Sequence, residues 1–273
     1  MRPARIGAAV LAVLVLGVAA VIAYARSTPQ AADPARADSA HGKLLFDAEF
    51  SGSKLDGREW STCFWWGEGG CTIATNDELE WYQPGQVTVS GGSAHLTATR
   101  RAVVASDHHT YPYSSGMISS GPPPGQRRAK FAFRYGRVEA RIRVPTAAGL
   151  WPGFWLLPAD RSSLPEIDVM EYVSRQPDSL EVHLHFQGGT DGMPLSLRLN
   201  PGQWHIYGID WSPGRLTWTV DGHVVYRVTG GAVPKVPMYL IANLAVGGEG
   251  PGPPTAATRF PTAVDIDWVR VWK

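Results

Sequence analysis

Apolar and polar residues alternate with a period of two along most of this chain. In the segment 135–144, Val138, Ala140, Ile142 and Val144 point one way, while Arg137, Glu139, Arg141 and Arg143 point the other. That spacing predicts a strand with one buried face. In 180–187, Val182, Leu184 and Phe186 share one face, and Glu181, His183, His185 and Gln187 share the opposite one. Asp221-Gly222 sits between two strand-like runs in 216–228, which predicts a hairpin closed by a primed turn. The segments 238–246 and 264–272 predict two further strands, and the Pro- and Gly-rich stretches 121–125 and 247–254 predict loops. No amphipathic pattern long enough for a major helix is present. The predicted class is all-β, a sandwich of two antiparallel sheets.

Composition agrees with that class. The chain's 30 glycines and 22 prolines suit a turn-rich β protein and disfavour a helical bundle. A net charge of +1 with no basic run gives no electrostatic reason to expect a nucleic-acid partner. Eleven tryptophans are many for 273 residues, and beyond core packing their ring faces suit stacking against planar or sugar ligands. A strand face carrying Arg, Glu and His, with Trp151 and Trp155 beside it, admits two readings. It is either a solvated, salt-bridged surface or a floor for a polar, ring-shaped ligand.

The ends of the chain are read differently. Residues 1–25 pair Arg2 and Arg5 with an apolar run from Ile6 to Ala25. This predicts a cleaved signal peptide or an uncleaved membrane anchor. Either one delivers the rest outside the cytoplasm, with membrane contact only through 6–25. Residues 26–42 are small, polar and aperiodic, as expected of a flexible linker. One catalytic or binding domain over 43–273, expected to be a monomer, remains. Cys63 and Cys71 are the only cysteines, and in an exported protein a close pair is expected to form a disulfide pinning the aromatic loop between them.

Chemistry concentrates in Pro165-Glu166-Ile167-Asp168-Val169-Met170-Glu171-Tyr172. Glu166 and Asp168 share a strand face, but Glu171 falls out of phase unless a β-bulge at Val169 or Met170 inserts one extra residue. With such a bulge the Glu166 and Glu171 backbones stand roughly 13 Å apart. Side chains leaning together then reach the carboxyl separation of about 5–5.5 Å used by retaining glycosidases. One carboxylate attacks the anomeric carbon, and the other protonates the leaving oxygen. A short acidic helix and a calcium-binding strand are the competing readings. Pro165 and the β-branched Ile167 and Val169 weaken the first, and the lack of loop glycines weakens the second.

PEIDVMEY resembles the active-site signature of glycoside hydrolase family 16, the laminarinase and lichenase group. The resemblance extends through FDAEFSG (46–52), NDELEWYQP (76–84), YSSGMISS (113–120), YGRVEARIRVP (135–145), GLWPGFWLLP (149–158), WHIYGIDWSP (204–213), LIANLAVGG (240–248) and DWVRVW (267–272). It therefore spans essentially all of 43–273. It implies a concanavalin-like jelly roll with a concave cleft, with Glu166 as nucleophile, Glu171 as general acid/base and Asp168 as their modulator. It also implies substrate contacts at Asn76, Glu139, Arg141, Trp151, Trp155 and Asn243, with one of the two tryptophans open to a core role. His183 is open between a site residue and a satisfied structural histidine. Many members carry a Trp just before the catalytic strand, where this chain has Leu164. A structural calcium ion at Glu49, Gly92 and Asp267 is implied as well, and no cofactor for catalysis. The expected activity is retaining, endo-acting hydrolysis of β-1,3- or mixed β-1,3/1,4-glucan. The alternatives are another polysaccharide such as a galactan, transglycosylation, and a non-catalytic β-glucan-binding lectin.

Overall fold

The computed structural model describes residues 42–66, 71–173, 179–195, 197 and 199–273. The expected leader and most of the expected linker lie outside the described residues. Two antiparallel sheets face each other. The larger has eight strands, in the spatial order His223–Thr229, Arg215–Val220, His205–Ser212, Gly136–Arg143, Thr262–Trp272, Ser93–Ala98 and Val87–Ser90, with Leu44–Ala48 also paired to Thr262–Trp272. The smaller has six, in the order Gly189–Leu195, Leu180–Phe186, Glu166–Glu171, Leu150–Pro158, Met238–Val246 and Met117–Ser119. The predicted hairpin forms between Arg215–Val220 and His223–Thr229, with φ of 49° at Asp221 and 78° at Gly222. Positive φ at both central residues is what a type I′ turn demands.

Alternation builds the core between the sheets. Val138, Ala140, Ile142 and Val144 from the larger sheet meet Leu150, Phe154, Leu156, Ile167, Val182 and Leu184 from the smaller one, all essentially inaccessible to water. Met238–Val246 is buried at every position because it lies inside the six-stranded sheet and is covered on both faces. Its even-numbered residues enter the inter-sheet core. On the other face, Tyr239 and Ile241 join Phe64, Tyr82, Met117, Trp155 and Leu157 in a second apolar cluster. The Cys63–Cys71 disulfide is formed, with the Cα atoms 5.1 Å apart. It holds Phe64 over Trp155 and Tyr82, and Trp66 stacks on Phe64 with ring centroids 4.2 Å apart. Phe64 and Trp66 thus cover the outer face of the smaller sheet at one end.

The row Arg137, Glu139, Arg141 and Arg143 belongs to the other sheet. Its strand pairs with His205–Ser212 and Thr262–Trp272. Arg137 bridges Glu139 at 2.5 Å and Asp210 at 3.0 Å, Arg141 meets Asp267 at 2.5 Å, and Arg143 meets Asp265 at 2.6 Å. Of the two readings of this row, the salt-bridged surface is the one the fold realises.

Candidate active site

A cleft of about 1200 Å³ opens on the outer face of the six-stranded sheet. The alternating residues that point away from the core line it: Trp151 and Trp155 from one strand, Glu166, Asp168 and Glu171 from the next, and Glu181, His183 and His185 from the third. The bulge that brings Glu171 to this face is present. Asp168 pairs with His183 and Glu171 with Glu181, so two residues, Val169 and Met170, oppose the single Val182. Against the strand on the other side, Asp168 pairs with Trp155 and Met170 with Phe154, which leaves Val169 as the unmatched residue. Both Val169 and Met170 drop into the core, and the alternation resumes with Glu171 facing the cleft. Trp218, fully buried on the opposite sheet, reaches across and donates its indole N–H to the Asp168 carbonyl at 2.8 Å. This satisfies a backbone group at the point where the ladder is disrupted.

The three carboxyl groups occupy different environments. Asp168 is 2% exposed. Burial, and then the nearby Glu171 charge, push its pKa well above the usual carboxylate range. Glu166 is also pushed well up, first by burial and then by Asp168, with His185 opposing the shift. Glu171 has both oxygens engaged: Trp151 donates its indole N–H to Oε1 at 2.9 Å, and His183 Nδ1 hydrogen-bonds Oε2 at 3.1 Å. His185 Nε2 stands 3.1 Å from Asp168 Oδ2 and 3.9 Å from Glu166 Oε1. Each histidine leans diagonally along the ladder, His183 toward Glu171 and His185 toward the Glu166–Asp168 pair.

Other expected contacts sort into three kinds. Asn76 and Trp151 line the cleft, and Asn76 donates to Glu78 Oε1 at 3.1 Å. Trp155 and Asn243 line its floor but are buried, bonded to each other at 2.8 Å, with Asn243 also donating to the Tyr82 hydroxyl at 2.9 Å. Of the two tryptophans, Trp155 is the one that belongs to the packed cluster beneath the cleft. Glu139 and Arg141 are corrected outright, because their strand lies in the eight-stranded sheet and the cleft lies on the six-stranded one. Local alternation gave them the right face pattern, but strand pairing assigned that face to the other side of the molecule.

Of the residues expected to hold calcium, Asp267 lies in Thr262–Trp272 of the eight-stranded sheet, which is irregular between Ile266 and Trp268, Glu49 follows Leu44–Ala48, and Gly92 lies in the turn between Val87–Ser90 and Ser93–Ala98. The Asp267 carboxylate is bound to Arg141, and the Glu49 carboxylate accepts from Arg270 at 2.9 Å. Gly92 offers no side-chain donor. Both carboxylates are thus paired with guanidinium groups, and the expected calcium ion would also draw on backbone carbonyls, the only ligand atom Gly92 can supply.

Several residues of the site escape sequence reasoning. Period-two spacing does put His185 on the same face as His183, but nothing local ties it to Asp168. Glu78 and Glu80 form a buried acidic pair beside the cleft floor, both shifted upward by burial, with Glu80 Oε2 accepting from the Val246 N–H at 2.7 Å. Two carboxyl groups at positions i and i+2, Glu78 in an isolated bridge to Gly247 and Glu80 opening the strand Glu80–Tyr82, were the available signal. Trp65 and Arg161 line the far end, the guanidinium 4.9 Å above the indole ring.

The profile described as "Glycosyl hydrolases family 16" matches residues 73–270. An endo-1,3-1,4-beta-glycanase of Rhizobium meliloti is 31% identical over 227 residues, covering 78% of this chain and 47% of its own length. A beta-glucanase of Rhodothermus marinus is 29% identical, covering 87% of this chain and 88% of its own. The X-ray structure of an endo-beta-1,3-glucanase from Pyrococcus furiosus superposes with a TM-score of 0.73 at 29% identity, over 84% of this chain and 93% of that one. The chain spans less than half the length of several curated relatives, 47% and 38% in two cases.

Proposed function

This chain belongs to glycosyl hydrolases family 16, and from that membership we propose that it is a retaining, endo-acting β-glucanase. Its substrate is β-1,3- or mixed β-1,3/1,4-glucan, the class that the names of its relatives carry. The observation that carries the reading is the bulge at Val169–Met170, which turns Glu166, Asp168 and Glu171 into one cleft. The cleft's volume of about 1200 Å³ exceeds the roughly 300–1,000 Å³ usual for a small-molecule pocket, as an oligomer of sugars requires.

Glu166 attacks the anomeric carbon and forms a glycosyl ester as the glycosidic C–O bond breaks. Glu171 gives its proton to the departing oxygen. Trp151 donates to Oε1 of Glu171, so Oε2, shared with His183, is the oxygen that carries the proton. In the second half Glu171 takes a proton from water, the oxygen of that water attacks the same carbon, and Glu166 leaves as a carboxylate. Asp168 lies on the same face between Glu166 and Glu171 and is the most deeply buried of the three, so its carboxyl modulates both through their mutual repulsion. Two inversions return the original anomeric configuration. Delivery outside the cytoplasm belongs to the same proposal and rests on residues 1–25; among the described residues, no helix is long and apolar enough to cross a membrane.

The test is E166Q on a purified protein, assayed against laminarin, lichenan and a galactan with proton NMR of the first product. The near-isosteric change is expected to keep the fold and glucan binding and to abolish turnover, while the wild type releases the β anomer. An α product rejects retention, and saturable glucan binding by a wild type that never turns over selects the lectin.

A further inference from the structure

Asp168, His183 and His185 bring one carboxylate oxygen and two imidazole nitrogens within 4.8 Å of one another. We propose that these three residues form a reversible site for a borderline divalent transition-metal ion, zinc(II) or copper(II), in the floor of the cleft. Ligand type selects the metal. Two nitrogens and one oxygen suit zinc, copper or nickel, whereas calcium and magnesium ask for six or more oxygens.

Three features of the fold build the site. His183 stands directly opposite Asp168 in the ladder, and His185 is two residues further along the same strand, so all three project from one face. His185 Nε2 and Asp168 Oδ2 are 3.1 Å apart, close to the ~3.3 Å edge of a tetrahedron whose metal–ligand bonds are about 2.0–2.1 Å. The His185 ring is turned into that position by its other nitrogen, since Nδ1 hydrogen-bonds the Thr190 hydroxyl at 2.8 Å. A separate observation points to a ligand there. Asp168 is 2% exposed, and its Oδ2 has no aligned hydrogen-bond donor, despite its closeness to His185. A buried acceptor without an aligned donor, 3.1 Å from the His185 nitrogen and in one cluster with His183, is a coordination position already desolvated. Glu166, Glu171 and Glu181 line the same cleft and favour a cation within it. Placing an ion there takes a rotation of His183, whose Nδ1 otherwise meets Glu171 Oε2 at 3.1 Å.

Binding does not depend on the glycosidase reading; only its consequence does. An ion on Asp168 and His183 withdraws one partner from Glu166 and another from Glu171, so hydrolysis stops until a chelator removes it. The experiment is calorimetric titration of tag-free, full-length protein with zinc chloride in a non-coordinating buffer, repeated on H183N/H185N and on H108N/H109N. The second pair is a surface control, because His109 beside Asp107 is a competing exposed site. We expect one saturable zinc ion in the wild type, an affinity at least tenfold lower in H183N/H185N, and no loss in H108N/H109N. Activity of the wild type is expected to fall in step with zinc occupancy and to return with EDTA. Absence of saturable binding, or an affinity unchanged in H183N/H185N, overturns the site. If that variant does not fold, peptide mapping of imidazole acylation by diethyl pyrocarbonate in the wild type decides. Protection of His183 and His185 by zinc supports the site, and unchanged acylation rejects it. A wild type that binds zinc yet hydrolyses no polysaccharide refutes the glucanase reading and leaves the metal site standing.

Discussion

The Trp218 indole offers the sharpest test of how this fold places its carboxylates. Trp218→Phe removes the N–H that meets the Asp168 carbonyl at 2.8 Å from across the sandwich. The carbonyl is left buried at an irregular point of the ladder, which costs about 1–3 kcal/mol. The smaller ring also leaves a space in a fully buried position, for roughly a further 1–2 kcal/mol. A total of about 2–5 kcal/mol corresponds to a melting-temperature drop on the order of 5–15 °C for a domain of this size. The effect on catalysis is separate. If the bulge relaxes, Glu171 shifts relative to Glu166, and a displacement near 1 Å costs about 100-fold in rate. Trp211→Phe is the matched control, since Trp211 is equally buried and donates to the Pro234 carbonyl at 3.1 Å, away from the catalytic strand. Urea unfolding and kcat on soluble β-glucan should show both variants destabilised, with only Trp218→Phe losing tenfold or more in kcat. Equal kcat values in two comparably destabilised variants would refute the idea that the indole positions the carboxylates.

Two further expectations concern stability and the cleft wall. His205 Nδ1 and Asp221 Oδ2 lie 2.7 Å apart. Burial opposes both charges, yet the pairing prevails, so His205 is held above its ordinary 6.5 and Asp221 below its ordinary 3.8. The histidine's contribution is complete below 6.5 and fades as pH rises through its raised value; the aspartate's is complete above 3.8 and fades as pH falls through its lowered value. The melting-temperature gap between wild type and D221N should therefore be widest between about pH 4 and 6.5 and narrow on either side, and a gap independent of pH contradicts the pairing. Removing the Cys63–Cys71 bridge, which spans eight residues, should cost up to about 2.5 kcal/mol by loop entropy. Because the bridge holds Phe64 and Trp66 against the cleft floor, C63S/C71S should raise KM for long glucans more than it lowers kcat; an unchanged KM would separate the loop from substrate binding.

The catalytic strand shows how far one-dimensional information reaches. Glu166 and Asp168 share a face by parity alone, and the three-residue step to Glu171 demands an irregularity, so the bulge was legible before any coordinates. The same holds for the Asp221-Gly222 turn and the Cys63–Cys71 bridge, which depend on neighbours in the chain. The expected leader or anchor at residues 1–25 rests on composition alone, since those residues lie outside the described structure.

Parity does not say which sheet a face belongs to. Arg137, Glu139, Arg141 and Arg143 alternate as regularly as Glu181, His183 and His185, yet the first row is a salt-bridged exterior and the second lines the cleft. His185 meets Asp168 through cross-strand register, and Trp218 meets the Asp168 carbonyl through the packing of one sheet on the other, 50 residues away in sequence. Alternation is a property of one strand's own backbone, whereas the partner of a face is chosen by where distant strands pair and bury their apolar sides. For this protein the sequence decided which residues travel together, and only tertiary pairing decided which of those groups meet around a substrate.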